Sequence, residues 1–382
     1  MKKSYIIRMI DNRLFCCYHI DTQISLRVYE GGRWGKPEVI APQARPNFSA
    51  ALDRHGGLYL FYQDSKGDIC LSRYSQGAWR SRVLLPSSST QTAKIHIHPL
   101  IRDDGLSILY NSINEDGEKL ILQSMDNQGN WGRPGQLDTL VPGSEFNVQS
   151  IAPEHALVFY LKHAPEPVLG YREVSPSRAT SFHSMHSPGQ RVADTSMLAT
   201  RDTLHSLIVA KGLFSSQLLY RRKTDATFSS PLVLAEAAQI SSCLLMFVGG
   251  HLHAYFVAGS QLLHATSRDA GASFSPAKRY TNKFCALPLK AMYLSHISMD
   301  ESAYFTRQLY VDRNNVTDIQ LLPELFEDFY PIAAEAPNTD DSEYLEEIAT
   351  YKERLKLTQL KLAEREKLLK QYQKQLADLS EE

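Results

Sequence analysis

The chain is poor in the features that mark many other classes of protein. Five cysteines occur in 382 residues, at Cys16, Cys17, Cys70, Cys243 and Cys285. The count is odd and no Cys-x-x-Cys spacing occurs, which argues against a disulfide framework and against the common zinc and redox motifs. Most fall within apolar strand patterns, where a free thiol behaves as a small buried hydrophobe. A reduced, cytoplasmic location is the expectation that follows. Net charge is lacking too: 41 Lys and Arg against 42 Asp and Glu leave −1. So small a charge argues against nucleic acid or an anionic membrane surface as a partner. No run of about 18 apolar residues is present, so no transmembrane segment is expected. The stretch Met1-Lys2-Lys3-Ser4-Tyr5-Ile6-Ile7-Arg8 starts as a signal peptide does, but Arg8, Asp11, Asn12 and Arg13 interrupt it before an apolar core forms. No Gly-rich phosphate loop opens a helix after a strand, and no cofactor is expected.

What the sequence does have is a repeat. Glycine and aromatic corners recur at Gly31-Gly32-Arg33-Trp34, Gln76-Gly77-Ala78-Trp79 and Gln128-Gly129-Asn130-Trp131. Later corners end at Phe182, Phe228 and Phe274, and the steps between the six aromatics are 45, 52, 51, 46 and 46 residues. Ahead of each corner runs a short apolar strand: Leu14-Phe15-Cys16, Leu58-Tyr59-Leu60-Phe61, Ser107-Ile108-Leu109-Tyr110, Leu157-Val158-Phe159-Tyr160, Ser206-Leu207-Ile208-Val209 and Ala254-Tyr255-Phe256. A seventh copy, Ala303-Tyr304-Phe305, follows without an aromatic corner.

Each unit holds about four strand-like runs separated by turn residues such as Arg54-His55-Gly56-Gly57 and Ser65-Lys66-Gly67-Asp68. Four strands at a period of about 40–50 residues is the pattern of a propeller blade. The fold class expected is all-β: a seven-bladed β-propeller of four-stranded antiparallel blades over 1–323. Six blades is the alternative if the last repeat is only a cover.

The corner Ser267-Arg268-Asp269-Ala270-Gly271-Ala272-Ser273-Phe274 reads Ser-x-Asp-x-Gly-x-Ser-aromatic. It resembles the Asp-box, or BNR repeat, of sialidase-like β-propellers. In such a turn the Asp carboxylate accepts backbone N–H groups, Gly supplies the positive φ, and the aromatic packs between neighbouring sheets. Ser267, Asp269, Gly271 and Phe274 are therefore structural candidates. The resemblance implies a glycan-active enzyme or lectin as one function. Sialidase chemistry needs an arginine cluster, a Tyr-Glu pair and an acid, with every member placed. The nearest string to the first arginine motif is Ala44-Arg45-Pro46, which lacks the aromatic and the Ile, and no catalytic residue is assigned.

Residues 324–341 break the repeat with an acidic, aromatic and then prolyl stretch that reads as a linker. From 342 to 380 the chain is rich in Glu, Lys, Gln and Leu without Gly or Pro, and a C-terminal α-helix is expected. Ile348, Leu355, Leu362, Leu369 and Leu376 lie seven apart, a coiled-coil seam that needs a second helix, its own copy or another protein's. The function expected is a non-catalytic binding or scaffolding propeller that self-associates or docks a protein partner through this seam. A sialidase-like hydrolase or a carbohydrate-binding lectin is the alternative, with a glycan as ligand. His96 with His98 and His251 with His253 lie two apart, each pair on one strand face. No third ligand is evident near either pair, so no metal site is assigned.

Overall fold

The computed structural model describes residues 3–311 and Ile319, except 31–32, 54, 76, 88–94, 103–104, 127, 153–154, 176–177, 187–190, 201, 225–226, 281–287 and 298–303. The described residues form strands and turns and contain no helix. None of them therefore forms a helix long and apolar enough to cross a membrane. The seam from Ile348 to Leu376 and the 324–341 stretch lie outside the described residues.

Six consecutive antiparallel meanders account for most of the chain. The first holds β1 (Ser4–Arg8), β2 (Leu14–Ile20) and β3 (Gln23–Glu30), with β4 (Arg33–Trp34) and β5 (Glu38–Ala41) both paired to β3. The second runs β6 (Ala44–Leu52), β7 (Leu58–Asp64), β8 (Ile69–Ser75) and β9 (Ala78–Leu85). The third runs β10 (Ile97–Arg102), β11 (Gly105–Asn114), β12 (Gly117–Met125) and β13 (Gly135–Leu140). The fourth runs β14 (Asn147–Ala152), β15 (His155–Lys162), β16 (Val168–Val174) and β17 (His183–His186). The fifth runs β18 (Arg191–Ala199), β19 (Leu204–Lys211), β20 (Ser216–Lys223) and β21 (Leu232–Ala237). The sixth runs β22 (Ile240–Val248), β23 (His251–Ala258), β24 (Gln261–Ser267) and β25 (Lys278–Arg279).

Packing makes these sheets a β-propeller. Five apolar clusters each join two consecutive sheets: first to second, second to third, and so on to fifth with sixth. The second strand of a sheet feeds both neighbours. In β15, Val158 and Tyr160 enter the cluster shared with the third sheet, while Leu157 and Phe159 enter the one shared with the fifth. A strand buried on both faces must be apolar at every position, which is why these segments read as unbroken runs. Side chains also tie one inner strand to the next. Ser49 donates to the Ile97 carbonyl, Gln149 exchanges two hydrogen bonds with Ala199, and the Ser196 hydroxyl accepts from Leu245 N at 2.9 Å.

The seventh repeat takes another course. Among the described residues it supplies β26 (Leu289–Ser295), β27 (Tyr304–Thr306) and β28 (Gln308–Val311), not a four-stranded sheet. β26 pairs parallel with β1 and antiparallel with β28. β27, the seventh copy of the apolar strand, pairs with β22 instead. The return arm thus divides at Arg307 and bridges the inner edges of the first and sixth sheets. Ile319 extends this closure, since its carbonyl accepts from Trp34 Nε1 at 2.9 Å.

Candidate functional site

Strand direction places all β2–β3-type turns and all sheet-to-sheet connections at one end of the ring. Two cavities open there. A cleft of about 820 Å³ lies between the fourth and fifth sheets. An axial cavity of about 210 Å³ lies among the inner strands. Glu145, Asn147, Asp194 and Thr195 line both, so the cleft runs into the axis.

One wall of the cleft is the connection from β13 to β14. Glu118 fixes it: this carboxylate, 4% exposed, accepts from Gly143 N at 2.7 Å and from the Asn111 amide. Asn111 in turn accepts from His96 N. The Ser144 hydroxyl donates to the Val141 carbonyl at 2.7 Å, and Val141 N donates to the Leu161 carbonyl at 3.0 Å. A buried carboxylate with such partners holds a loop that otherwise has only its own turn to define it. Pro165 and Pro167, in the β15–β16 turn, restrict the second wall.

The third wall is the start of β18. The pairing of β18 with β19 slips between Val192 and Asp194. Such a bulge re-aims side chains. Asp194 Oδ2 thereby reaches Lys290 Nζ at 2.6 Å and accepts from Cys243 N at 2.9 Å. Arg191 lines the cleft and has no ion-pair partner among the described residues. The floor is apolar, made by Phe159, Leu169 and Met197.

Beneath the cleft wall lies a charged cluster. Asp138 accepts from Tyr160 at 2.9 Å and from Arg172 at 3.0 Å, and pairs with Lys162 at 3.2 Å. Burial alone would raise the Asp138 pKa. The hydrogen bonds from Tyr160, Arg172 and Lys162 overcome it and hold the carboxyl below its usual value. Tyr160 is shifted upward by burial and by Asp138. It stays a phenol and a donor, locking the third sheet to the fourth.

The corner residues lie elsewhere. Ser267, Asp269, Gly271 and Phe274 form the turn after β24, at the end of the ring opposite the cleft. Asp269 accepts from Ser273 N at 2.9 Å, Ser273 Oγ at 2.6 Å and Ser267 Oγ at 2.8 Å. These bonds, led by Ser273, depress its pKa strongly. Ala270 and Gly271 have φ of 51° and 85°. Phe274 meets Tyr220 of the fifth sheet edge-on, with ring centroids 4.8 Å apart. Asp53, Asp64 and Asp126 make related turns. Each accepts the N–H groups two and four residues on, with a positive-φ glycine at the third position.

Arg45 is turned to the Asp64 carbonyl at 3.1 Å, so it is used by the β7–β8 turn. Among the described residues the two cavities together are lined by one arginine, Arg191. The histidine pairs separate: His96 and His98 face the axial cavity, whereas His253 stacks with Tyr255 and His264 in the sixth sheet. Among the described residues no group of three His, Cys, Asp or Glu side chains could hold a metal ion. Cys16, Cys17, Cys70 and Cys243 are buried free thiols. Burial pushes Cys16 up to about 12 and Cys70 to about 11.

No family model matches the chain, and no curated protein does. Solved structures with a similar course include the SapL1 lectin in complex with α-methyl fucoside. It is 11% identical, with 74% of this chain and 96% of that one covered, at a TM-score of 0.47. The six-bladed β-propeller lectin of Aleuria aurantia is 12% identical over 72% and 94%, at 0.44. An ulvan lyase, a polysaccharide lyase, is 11% identical over 72% and 78%, at 0.41.

Proposed function

We propose that the protein is a non-catalytic, carbohydrate-binding β-propeller whose ligand enters the cleft between the fourth and fifth sheets. The observation that carries this reading is the lining of that cleft. An apolar floor lies below a rim of Ser144, Glu145, Asn147, Glu166, Arg191 and Thr195. A sugar has apolar C–H faces and hydroxyls that both donate and accept. Carboxylates accept, a guanidinium donates, and amide and hydroxyl side chains do both. The cavity's volume falls in the range of small-ligand sites. The ring is read here as six blades, with β26 and β28 as a latch rather than a seventh.

A glycan array followed by calorimetry tests the reading. The expected result is a saccharide whose affinity drops at least tenfold in Arg191→Ala and in Asn147→Ala. A fluorogenic glycoside screen is expected to show no turnover. An array without a hit, or affinity unchanged in both variants, rejects the cleft as a sugar site.

The heptad seam Ile348, Leu355, Leu362, Leu369 and Leu376 supports a further element of this reading. A binding face multiplied through a coiled coil gains avidity. Deleting 342–382 is expected to lower the mass measured by light scattering while the β-type circular dichroism persists. The buried thiols support residence in a reducing compartment.

A further inference from the structure

Arg307 is a cation among the inner strands without a counter-ion. Its Nη2 donates to the Ser150 carbonyl at 2.9 Å, and the guanidinium carbon lies 5.4 Å from the centre of the Phe305 ring. It forms no ion pair with a described residue. Nε is sealed off and unpartnered, whereas Nη1, also without a hydrogen bond, keeps accessible surface. Burial takes the pKa down to about 10, and no carboxylate raises it again. At neutral pH the group is still charged. A desolvated charge is costly unless an opposite charge pairs with it.

Arg307 lines a small cavity of about 20 Å³ between β14, β18 and the return arm. That is room for a single water-sized occupant. Asn147 and Thr195 line it too, and their side chains make no hydrogen bond with a described residue. An amide and a hydroxyl are thus free to donate beside the guanidinium. Met197 and Met292 close the space with apolar surface. The wider axial cavity adjoins it through Asn147, Thr195 and Met292. There Asp194 is taken by Lys290 at 2.6 Å, and Glu145 lies 3.9 Å from His96 Nδ1. An anion large enough to reach up the axis would meet both carboxylates. Neither of them is an ion-pair partner of Arg307.

We propose that Arg307, Asn147 and Thr195 bind one monatomic anion of the chloride type among the inner strands. The guanidinium supplies the charge, and the amide and hydroxyl complete the shell with hydrogen bonds. The size of the space and the carboxylates beyond it select against acetate and sulfate. The ion braces the return arm against the fourth and fifth sheets, so its binding stabilises the closed ring. The site does not depend on the cleft holding a sugar. It shares Asn147, Phe159, Thr195 and Met197 with the cleft, so its occupant steadies that wall.

Chloride NMR line broadening on the full chain tests this. The wild type is expected to broaden the chloride line, bromide to reverse the effect, and acetate and sulfate to leave it. Arg307→Met is expected to weaken chloride binding at least tenfold. At equal ionic strength, chloride is expected to raise the wild-type melting temperature above its value in gluconate, and Arg307→Met to remove that difference. Broadening that is absent, that acetate reverses as well as bromide does, or that persists in Arg307→Met overturns the proposal. If the variant does not fold by circular dichroism, anomalous diffraction from wild-type crystals grown in bromide decides. A peak within hydrogen-bond reach of the Arg307 guanidinium supports the site. Peaks confined to the outer surface mark an adventitious ion only and overturn it.

Discussion

Lys290 and Asp194 stand 2.6 Å apart, ammonium to carboxylate, and lie 96 positions apart in the chain. The pair joins the closing hairpin to the fifth sheet across the ring, and its side chains are only 16% and 25% exposed. Lys290→Met leaves Asp194 with the Cys243 N–H alone. Breaking one half of a buried pair costs more than the pair's net worth, because a charge is stranded. Allowing for the residual exposure, Lys290→Met is expected to lower unfolding free energy by about 2 kcal/mol. Adding Asp194→Asn to it should recover part of the loss. Urea denaturation reads both, and an additive double variant would show that the two groups are uncoupled.

Glycines at two of the Asp turns separate strain from collision. Gly129 has φ of 88° with open space around a built Cβ. Gly271 has φ of 85°, and a Cβ there would come within 1.8 Å of the Tyr220 hydroxyl. Gly129→Ala is expected to cost about 1 kcal/mol from backbone strain. Gly271→Ala must also push Tyr220 away from its hydrogen bond with His205 Nδ1 at 2.7 Å, and about 3 kcal/mol is expected. Equal melting temperatures for the two variants would contradict this account.

Much of the ring is legible in the sequence, for a reason these turns make plain. A strand buried on both faces and an Asp or Gly with a fixed dihedral role are both local signals. In the sequence Phe182 is marked by spacing alone. It packs on Tyr160 with centroids 5.3 Å apart and fills the space where a side chain on Gly170 would be. The cleft was not legible. Its walls come from residues about 50 positions apart, set by a bulge before Asp194 and by Glu118, whose partner is a backbone N–H in another loop. A Glu at the start of β12 with Asn111 seven residues earlier is the one available hint. Pattern reading also cannot foresee the course of β27, because Tyr304-Phe305 suits the inner edge of β22 as well as a seventh sheet.

Buried histidines make stability fall as the solution is acidified. Burial, with Arg222 adding to it, holds His205 at about 4. Burial and then the neighbouring His264 and His251 hold His253 at about 4. An unfolded histidine titrates near 6.5. The folded pKa values are depressed, so the unfolded chain binds more protons as pH drops. The contribution of these residues is complete above about 6.5 and is lost as pH falls from there to about 4. Each site adds a slope approaching ~1.4 kcal/mol per pH unit within that window. Urea midpoints measured from pH 7 to 4 are expected to fall, and His205→Asn should flatten the decline. A midpoint independent of pH down to 4.5 would contradict the assignment.

Closure of the ring gives the last expectation. β26 pairs with β1 through four residues, Tyr5 with Met292 to Arg8 with Ser295, and β27 pairs with β22 through three. Arg307 adds a hydrogen bond to the Ser150 carbonyl at 2.9 Å, and Tyr310 one to Ser242 at 3.1 Å. The segment also buries Leu309, Tyr310 and Val311 almost completely. Removing 289–382 takes away these backbone pairings together and exposes the inner edges of β1 and β22. An uncovered strand edge seeks another partner, so this truncation is expected to be aggregated or largely unfolded. Removing only 330–382 spares every contact named here. That shorter chain is expected to keep its strand content and a cooperative thermal transition. A soluble, cooperatively melting product of the larger deletion would show that the six sheets hold together without the hairpin.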